Sequence, residues 1–279
     1  MTINLDRHFK PLAGDEIQFE NFIFSGGEPH IKINPDFDHS EEITVTHRLN
    51  SFNDLGLLCV TADALRRMDA KVSDLIIPYF PAARQDRVMV KGEPLSVKVY
   101  AGIINNLDFK KVTIFDAHSE VAPALLNNCN AVSNHAFIKK VITLIGEDVL
   151  LISPDGGALK KIYKLSEYLG GAAVVECSKS RDVKTGALTG FKVYAEDLQG
   201  KNCLVVDDIC DGGGTFIGLA DELKKKNAGK LYLAVSHGIF SKGFEQLEGC
   251  FDKIFTTNSF RELHHSCLTQ INLNNGLLS

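Results

Sequence analysis

The run VVDDICDGGGT, residues 205–215, holds the densest chemistry in the chain. A β-branched segment ends in two adjacent carboxylates, Asp207 and Asp208. Asp211, Gly212, Gly213 and Gly214 follow as a loop, and Thr215 opens a helical pattern. Glycines let successive backbone N–H groups turn inward around an anion. The N-terminus of the next helix adds free donors and partial positive charge. Vicinal carboxylates beside such a cradle suit neighbouring sugar hydroxyls, so the run describes a site for a sugar phosphate. A plain glycine turn capped by Asp211 is the competing account, and it leaves two acids and three glycines unexplained. The loop is neither a P-loop, because no Gly-Lys-Ser/Thr follows, nor a GxGxxG turn.

Three other clusters repeat the theme. SPDGGALKK, residues 153–161, again runs from strand to glycine turn to helix, with Asp155, Gly156 and Gly157 in the turn. In FDAHS, residues 115–119, Asp116 and His118 lie two apart on an extended segment, so both can reach one cation or phosphate. In PYFPAARQDR, residues 78–87, Arg84 and Arg87 bracket Gln85 and Asp86, a pattern suited to clamping polyphosphate; a surface salt-bridge cluster is the alternative. The irregular stretch 178–189 carries Lys179, Arg181 and Lys184 between two strands. It reads as an exposed loop or as a mobile cationic loop over a phosphate site.

The elements that must position these clusters are short β-rich runs alternating with helical patterns. Candidate strands are 56–60, 74–79, 111–115, 149–153, 172–176, 203–206, 231–236 and 253–257. Candidate helices are 61–69, 94–106, 121–127, 159–169 and 215–227. Strands rich in Val, Ile and Leu separated by helices predict an α/β fold with mainly parallel sheets and right-handed crossovers. Ligands of such sheets gather beyond the C-terminal strand ends, where the clusters stand. The Asn- and Ser-rich stretch 127–135 has no periodicity, which places a domain boundary there: 1–132 and 133–279.

The 279 residues suffice for two domains, and 44% apolar content allows each a core. A net charge of −5 offers no field for a nucleic-acid backbone. Lys224, Lys225 and Lys226 suit the solvated end of a helix. The first ten residues lack the apolar centre of a signal peptide, and no run approaches the ~18 apolar residues of a membrane span. Seven scattered cysteines without CxxC spacing point to reduced thiols and a cytoplasmic protein. Cys203 and Cys210, flanking the acidic pair, read as small apolar filler.

Taken together and in order, the clusters resemble the ribose-phosphate diphosphokinase, or phosphoribosyl-pyrophosphate (PRPP) synthetase, family. PYFPAARQDR, Glu93-Pro94-Leu95-Ser96-Val97-Lys98, Asp116-Ala117-His118, Ser153-Pro154-Asp155-Gly156-Gly157, Lys179-Ser180-Arg181 and VDDICDGGGT match its successive motifs. The resemblance implies two phosphoribosyltransferase-like α/β domains, the N-terminal one on the ATP side and the C-terminal one on the ribose-phosphate side. It implies Mg2+, ATP as co-substrate and a homodimer or higher homo-oligomer, with no nucleic-acid or membrane partner. It assigns ATP binding to Phe24, Glu28, Arg84, Gln85, Asp86, Arg87 and His118, and metal contacts to His118 and Asp155. The diphosphate loop becomes Asp155, Gly156 and Gly157. Catalysis falls to Lys179, Arg181 and His118, and the ribose phosphate to Asp207, Asp208, Asp211, Gly212, Gly213, Gly214 and Thr215.

Three positions depart from the family pattern. Gly212 stands where the family has a Thr that contacts the 5-phosphate. That loss costs about 1.5–3 kcal/mol if nothing replaces it, and it opens space beside the phosphate. The family's F-S-D/N-x-E reads here Phe24-Ser25-Gly26-Gly27-Glu28. The chain reaches Ser279 without the family's terminal helix, so the hexamer and its allosteric control are not carried over. The expected reaction is diphosphate transfer from ATP to ribose 5-phosphate. The same transfer to a larger acceptor such as ADP-ribose, in NAD-related metabolism, is the alternative that open space at Gly212 suggests. A phosphoribosyltransferase needs only the 205–215 loop and leaves the other clusters idle. A non-catalytic regulatory homologue needs none of the cations that Lys179, Arg181 and His118 supply.

Overall fold

The computed structural model describes residues 1–181 and 188–278. The chain forms two compact units, one of Met1–Ser133 with Asn272–Ser279 and one of Asn134–Ile271. The division expected after residue 132 had left 272–279 with the second unit; they group with the first.

The first unit contains β1 (Thr2–Asn4), β2 (Phe19–Ile23), β3 (Pro29–Ile33), β4 (Glu42–Thr46), α1 (Phe52–Arg67), β5 (Lys71–Ile76), α2 (Ser96–Asn105), β6 (Lys111–Phe115), α3 (Val121–Leu125) and β7 (Cys129–Val132). Its sheet runs β1-β4-β5-β6-β7, all parallel. β2 and β3 form a separate antiparallel hairpin. The core joins Ile43 and Val45 of β4 to Leu75 and Ile114 across the sheet and to Leu58 of α1.

The second unit contains α4 (His135–Ile145), β8 (Leu150–Ser153), α5 (Leu159–Tyr168), β9 (Val174–Arg181), β10 (Leu188–Val193), β11 (Cys203–Cys210), α6 (Gly214–Lys225), β12 (Leu231–Gly238), α7 (Glu245–Glu248), β13 (Lys253–Thr257) and β14 (Leu268–Ile271). Its sheet order is β10-β9-β8-β11-β12-β13-β14. Only the β9–β10 pair is antiparallel. A short α8 (Asn275–Leu278) lies in the last segment.

Four local expectations change. Residues 56–60, expected as a strand, lie inside α1. Ser51 caps that helix by accepting from the Asp54 N–H, while Asp54 accepts from the Asn50 N–H at 3.0 Å. Leu55, Leu58, Ala62 and Leu65 are buried at helical spacing, a period that a five-residue apolar run conceals. β4 and β7 were not anticipated, and α4 begins where irregular chain was expected. Finally, β9 runs through Lys179 to Arg181 and β10 starts at Leu188. The expected irregular stretch is therefore strand at both ends, and residues 182–187, with Lys184, lie outside the described residues.

Candidate active site

In the first unit β5 and β6 are neighbours, so the segments that follow them emerge side by side. Two residues there hold left-handed backbone without being glycine: Ala82 at φ 56° and Asp116 at φ 39°. Such conformations cost about 1–2 kcal/mol each and persist where the surroundings enforce them. Ala82 accepts from the Gln85 N–H at 2.8 Å, which closes a tight turn over Ala82–Ala83–Arg84–Gln85 just before Asp86 and Arg87. Arg84, Gln85 and Arg87 face solvent, and His118 is partly exposed.

Asp86 behaves differently, with a side chain only 8% exposed. Burial works against its ionisation. The hydrogen bonds of Ser119 and Arg87, with the charges of Arg87 and His118, outweigh burial and hold it below the ordinary carboxylate range. Asp86 therefore ties the arginine loop to the loop of His118. The structure brings these two clusters together. Phe24 and Glu28 sit elsewhere in the unit, in the turn of the β2–β3 hairpin, and β3 packs on α1. Phe24 is exposed and meets Phe22 edge-on at 4.9 Å. Gly26 has an ordinary φ, and a Cβ there would lie 2.6 Å from a Glu28 carboxylate oxygen. Glu28 thus occupies the space that a side chain at Gly26 would fill.

In the second unit β9, β8 and β11 are consecutive, which aligns three clusters along one strand-end edge. Asp155 follows β8 and accepts the N–H groups of Gly157 at 2.8 Å and Ala158 at 3.1 Å. Its other oxygen pairs with the Lys179 ammonium from β9. Burial raises the Asp155 pKa, but the Lys179 hydrogen bond and charge, with both N–H groups, prevail and keep it ionised. The backbone of Arg181 closes β9 opposite Leu188.

β11 continues past the expected end at Val206, because Asp207, Ile209 and Cys210 stay paired with Val235, His237 and Gly238 of β12. The acidic pair therefore stands on a central strand rather than in a loop. Burial, and then the adjacent Asp208 carboxylate, push the Asp207 pKa well above the ordinary range. Burial also lifts the thiols of Cys203 to about 11 and Cys210 to about 12, which keeps them protonated.

The loop after β11 is held from below. Asp211 accepts the Ser241 hydroxyl at 2.6 Å, and its carbonyl accepts the Ser241 N–H. Gly213, which has no side chain to cap with, is the N-cap of α6 at φ 78°. Asp211 is engaged with the β12–α7 loop. A Cβ on Gly213 would press on Leu247 at 3.1 Å, so that glycine is fixed by both backbone and packing.

At Gly212 the structure corrects an expectation. Its φ is ordinary, and a Cβ would meet Cδ and Cε of Lys242 at 3.4 Å. The flank of the loop is lined by a lysine stem at ordinary contact distance. Ser119 stood in the FDAHS cluster without an assigned role, and Ser241 and Lys242 carried no sequence motif that singled them out. Only their place just after β12 could have flagged the last two. Among the described residues, no group of three or more His, Cys, Asp or Glu converges to hold a metal ion.

Residues 15–107 match the N-terminal domain of ribose phosphate pyrophosphokinase, and residues 124–259 match the phosphoribosyl transferase domain. A ribose-phosphate pyrophosphokinase of Thermococcus kodakarensis is 30% identical over 240 residues, 85% of this chain and 83% of that protein. One from Mycoplasmopsis pulmonis is also 30% identical, over 74% of this chain and 65% of its own length. The crystal structure of phosphoribosylpyrophosphate synthetase from Mycobacterium smegmatis shares the fold, with a TM-score of 0.80 at 22% identity. That likeness covers 93% of this chain and 87% of that one.

Proposed function

The chain belongs to the ribose-phosphate pyrophosphokinase family, and from that premise we propose that it transfers the β,γ-diphosphate of ATP to the 1-hydroxyl of ribose 5-phosphate, giving PRPP and AMP. One observation carries the reading. The N-terminus of α6, its glycine loop and the Asp207–Asp208 pair share a sheet edge with Asp155 and Lys179. The glycine loop and helix end suit the 5-phosphate, and the carboxylates suit the ribose hydroxyls. The Asp155 turn and Lys179 suit the incoming diphosphate. Arg84, Gln85, Arg87 and His118 of the first unit supply donors and positive charge for ATP, with Asp86 setting their loop.

The bond from ribose O1 to the β-phosphorus forms as the bond from that phosphorus to the α,β-bridging oxygen breaks. The hydroxyl proton passes to water and AMP leaves. Such a transfer needs positioning and charge neutralisation more than covalent help. Lys179 pairs with Asp155 and can turn to the diphosphate oxygens; Arg181 and, in the first unit, His118 are the further groups this reading assigns to the transfer. Asp155 in the second unit and His118 in the first are the residues that would hold Mg2+, which would supply further charge neutralisation.

ADP-ribose as acceptor has no support. It rested on open space at Gly212, whose flank the Lys242 stem lines, and the relatives are named for ribose phosphate. Among the described residues no helix is long and apolar enough to cross a membrane. The free cysteines support a cytoplasmic place. Exposed Phe22, Ile23 and Phe24 on the hairpin, with Val88, Met89 and Val90, support a homo-oligomer.

The test is AMP release from ATP with ribose 5-phosphate, with Mg2+ or with EDTA. Turnover should require both acceptor and metal. Lys179→Ala and Arg181→Ala should each lower kcat by about 100-fold or more while ATP affinity stays within a few-fold. No AMP release with ribose 5-phosphate, or full activity in either variant, would overturn the reading.

A further inference from the structure

We propose that Lys242 is a phosphate-binding residue of this site, and that Gly212 is the position that admits it. This rests on the reading of the 211–215 loop as the 5-phosphate cradle. The backbone does not require glycine at 212, since its φ is ordinary, unlike that of Gly213. The three atoms nearest a Cβ placed there all belong to Lys242: Cδ and Cε at 3.4 Å and Cγ at 3.7 Å. The stem of Lys242 therefore lies along the open flank of Gly212. Its ammonium, one bond beyond Cε, falls within about 5 Å of that flank.

Charge supplies the reason. The segment 205–215 carries Asp207, Asp208 and Asp211 and no basic residue. A phosphomonoester dianion in that cradle meets helix N–H donors but a surplus of carboxylate. The β12–α7 loop brings a compensating cation. Ser241, the residue before Lys242, is fixed to Asp211 by both its hydroxyl and its N–H. The neighbouring Arg261 is directed to the Ile239 carbonyl instead. Lys242 thus stands in for the hydroxyl that the loop lacks at 212, with a full charge in place of a neutral donor. An ammonium attracts a terminal dianion more than a bridging phosphodiester, which selects a free 5-phosphate.

Lys242 is exposed, so its replacement leaves the fold intact. Lys242→Met should raise KM for ribose 5-phosphate by about 10-fold or more and leave KM for ATP unchanged. Lys242→Arg should keep most of the affinity. Gly212→Thr should also raise this KM in the native background by displacing the lysine. In the Lys242→Met background it should add little, because both changes remove one interaction. An unchanged KM in Lys242→Met, or additive effects of the two substitutions, would overturn the proposal. Calorimetric titration with ribose 5-phosphate reads the same differences without turnover. Absence of AMP release in the native protein then counts against the proposed reaction, and equal binding by native and Lys242→Met protein counts against Lys242.

Discussion

At the scale of single residues, the candidate site accepts unfavourable terms that a purely structural protein would lack. Asp207 is the sharpest case. Burial and the Asp208 carboxylate raise its pKa, so between the ordinary value and the raised one the folded state binds more protons than the unfolded chain. Its contribution is most favourable at acid pH and declines as pH rises through the raised pKa. Asp207→Asn removes the charge and keeps an oxygen for the Asp208 N–H, which Asp207 accepts at 2.9 Å. The variant should melt several degrees higher than the native protein at neutral pH, about 1–2 kcal/mol, and lose most affinity for ribose 5-phosphate. Thermal melts across pH check the first part and acceptor kinetics the second. A lower melting temperature at neutral pH would show that Asp207 supports the fold rather than burdening it.

At the scale of elements, β11, its loop and α6 act as one part whose angle sets where the anion cradle points. β10 supports that helix from the side. A Cβ on Gly218 of α6 would lie 2.2 Å from Cε2 of Phe191 and 2.7 Å from its Cδ2. Gly218 therefore lets α6 sit directly on the Phe191 ring. Gly218→Ala must push ring or helix aside, a cost of about 1–3 kcal/mol that exceeds the helix-propensity gain of about 1 kcal/mol. Urea unfolding should show that loss. Because Gly218 lies one turn from the cradle, KM for ribose 5-phosphate should rise while KM for ATP holds. Phe191→Ala combined with Gly218→Ala should recover part of the affinity. Equal stability of native and Gly218→Ala protein would refute the close packing.

At the scale of the whole molecule, two separate cores face pH in opposite ways. In the first unit His47 is 3% exposed, and neither ring nitrogen has a hydrogen-bond partner of good geometry among the described residues. Burial holds its pKa below the ordinary value against the charges of Asp54 and Asp6. The unfolded chain then binds a proton that the folded one refuses, so stability falls as pH drops through about 6.5. In the second unit Asp207, with its pKa raised, gains as pH falls. Acid should therefore weaken the first unit relative to the second. Calorimetric unfolding between pH 7.5 and 5.5 should show the two contributions drawing apart, and His47→Leu with Asp207→Asn should remove most of that change. Parallel shifts of the whole profile in both proteins would refute it.

What the sequence by itself determined was the family, the parallel α/β fold and the order along the chain of the clusters able to do chemistry. Glycine runs, paired acids and cations follow β-rich segments, and each such signal is local, carried by residues within about ten positions. Hence 205–215, 153–157 and 84–87 were legible, as were the parallel α/β fold and the family. What the tertiary structure decided came from residues far apart in sequence. β11 reaches Cys210 only because β12 pairs with it, and 56–60 joins α1 because its apolar face has a sheet to cover. Asp86 belongs with Ser119 through a hydrogen bond that no spacing encodes. The two unusual glycines divide the same way. Their presence could be read from sequence as an absence of side chains. That Glu28 covers Gly26 and Lys242 covers Gly212 depends on packing, because an empty volume is defined only by what folds against it.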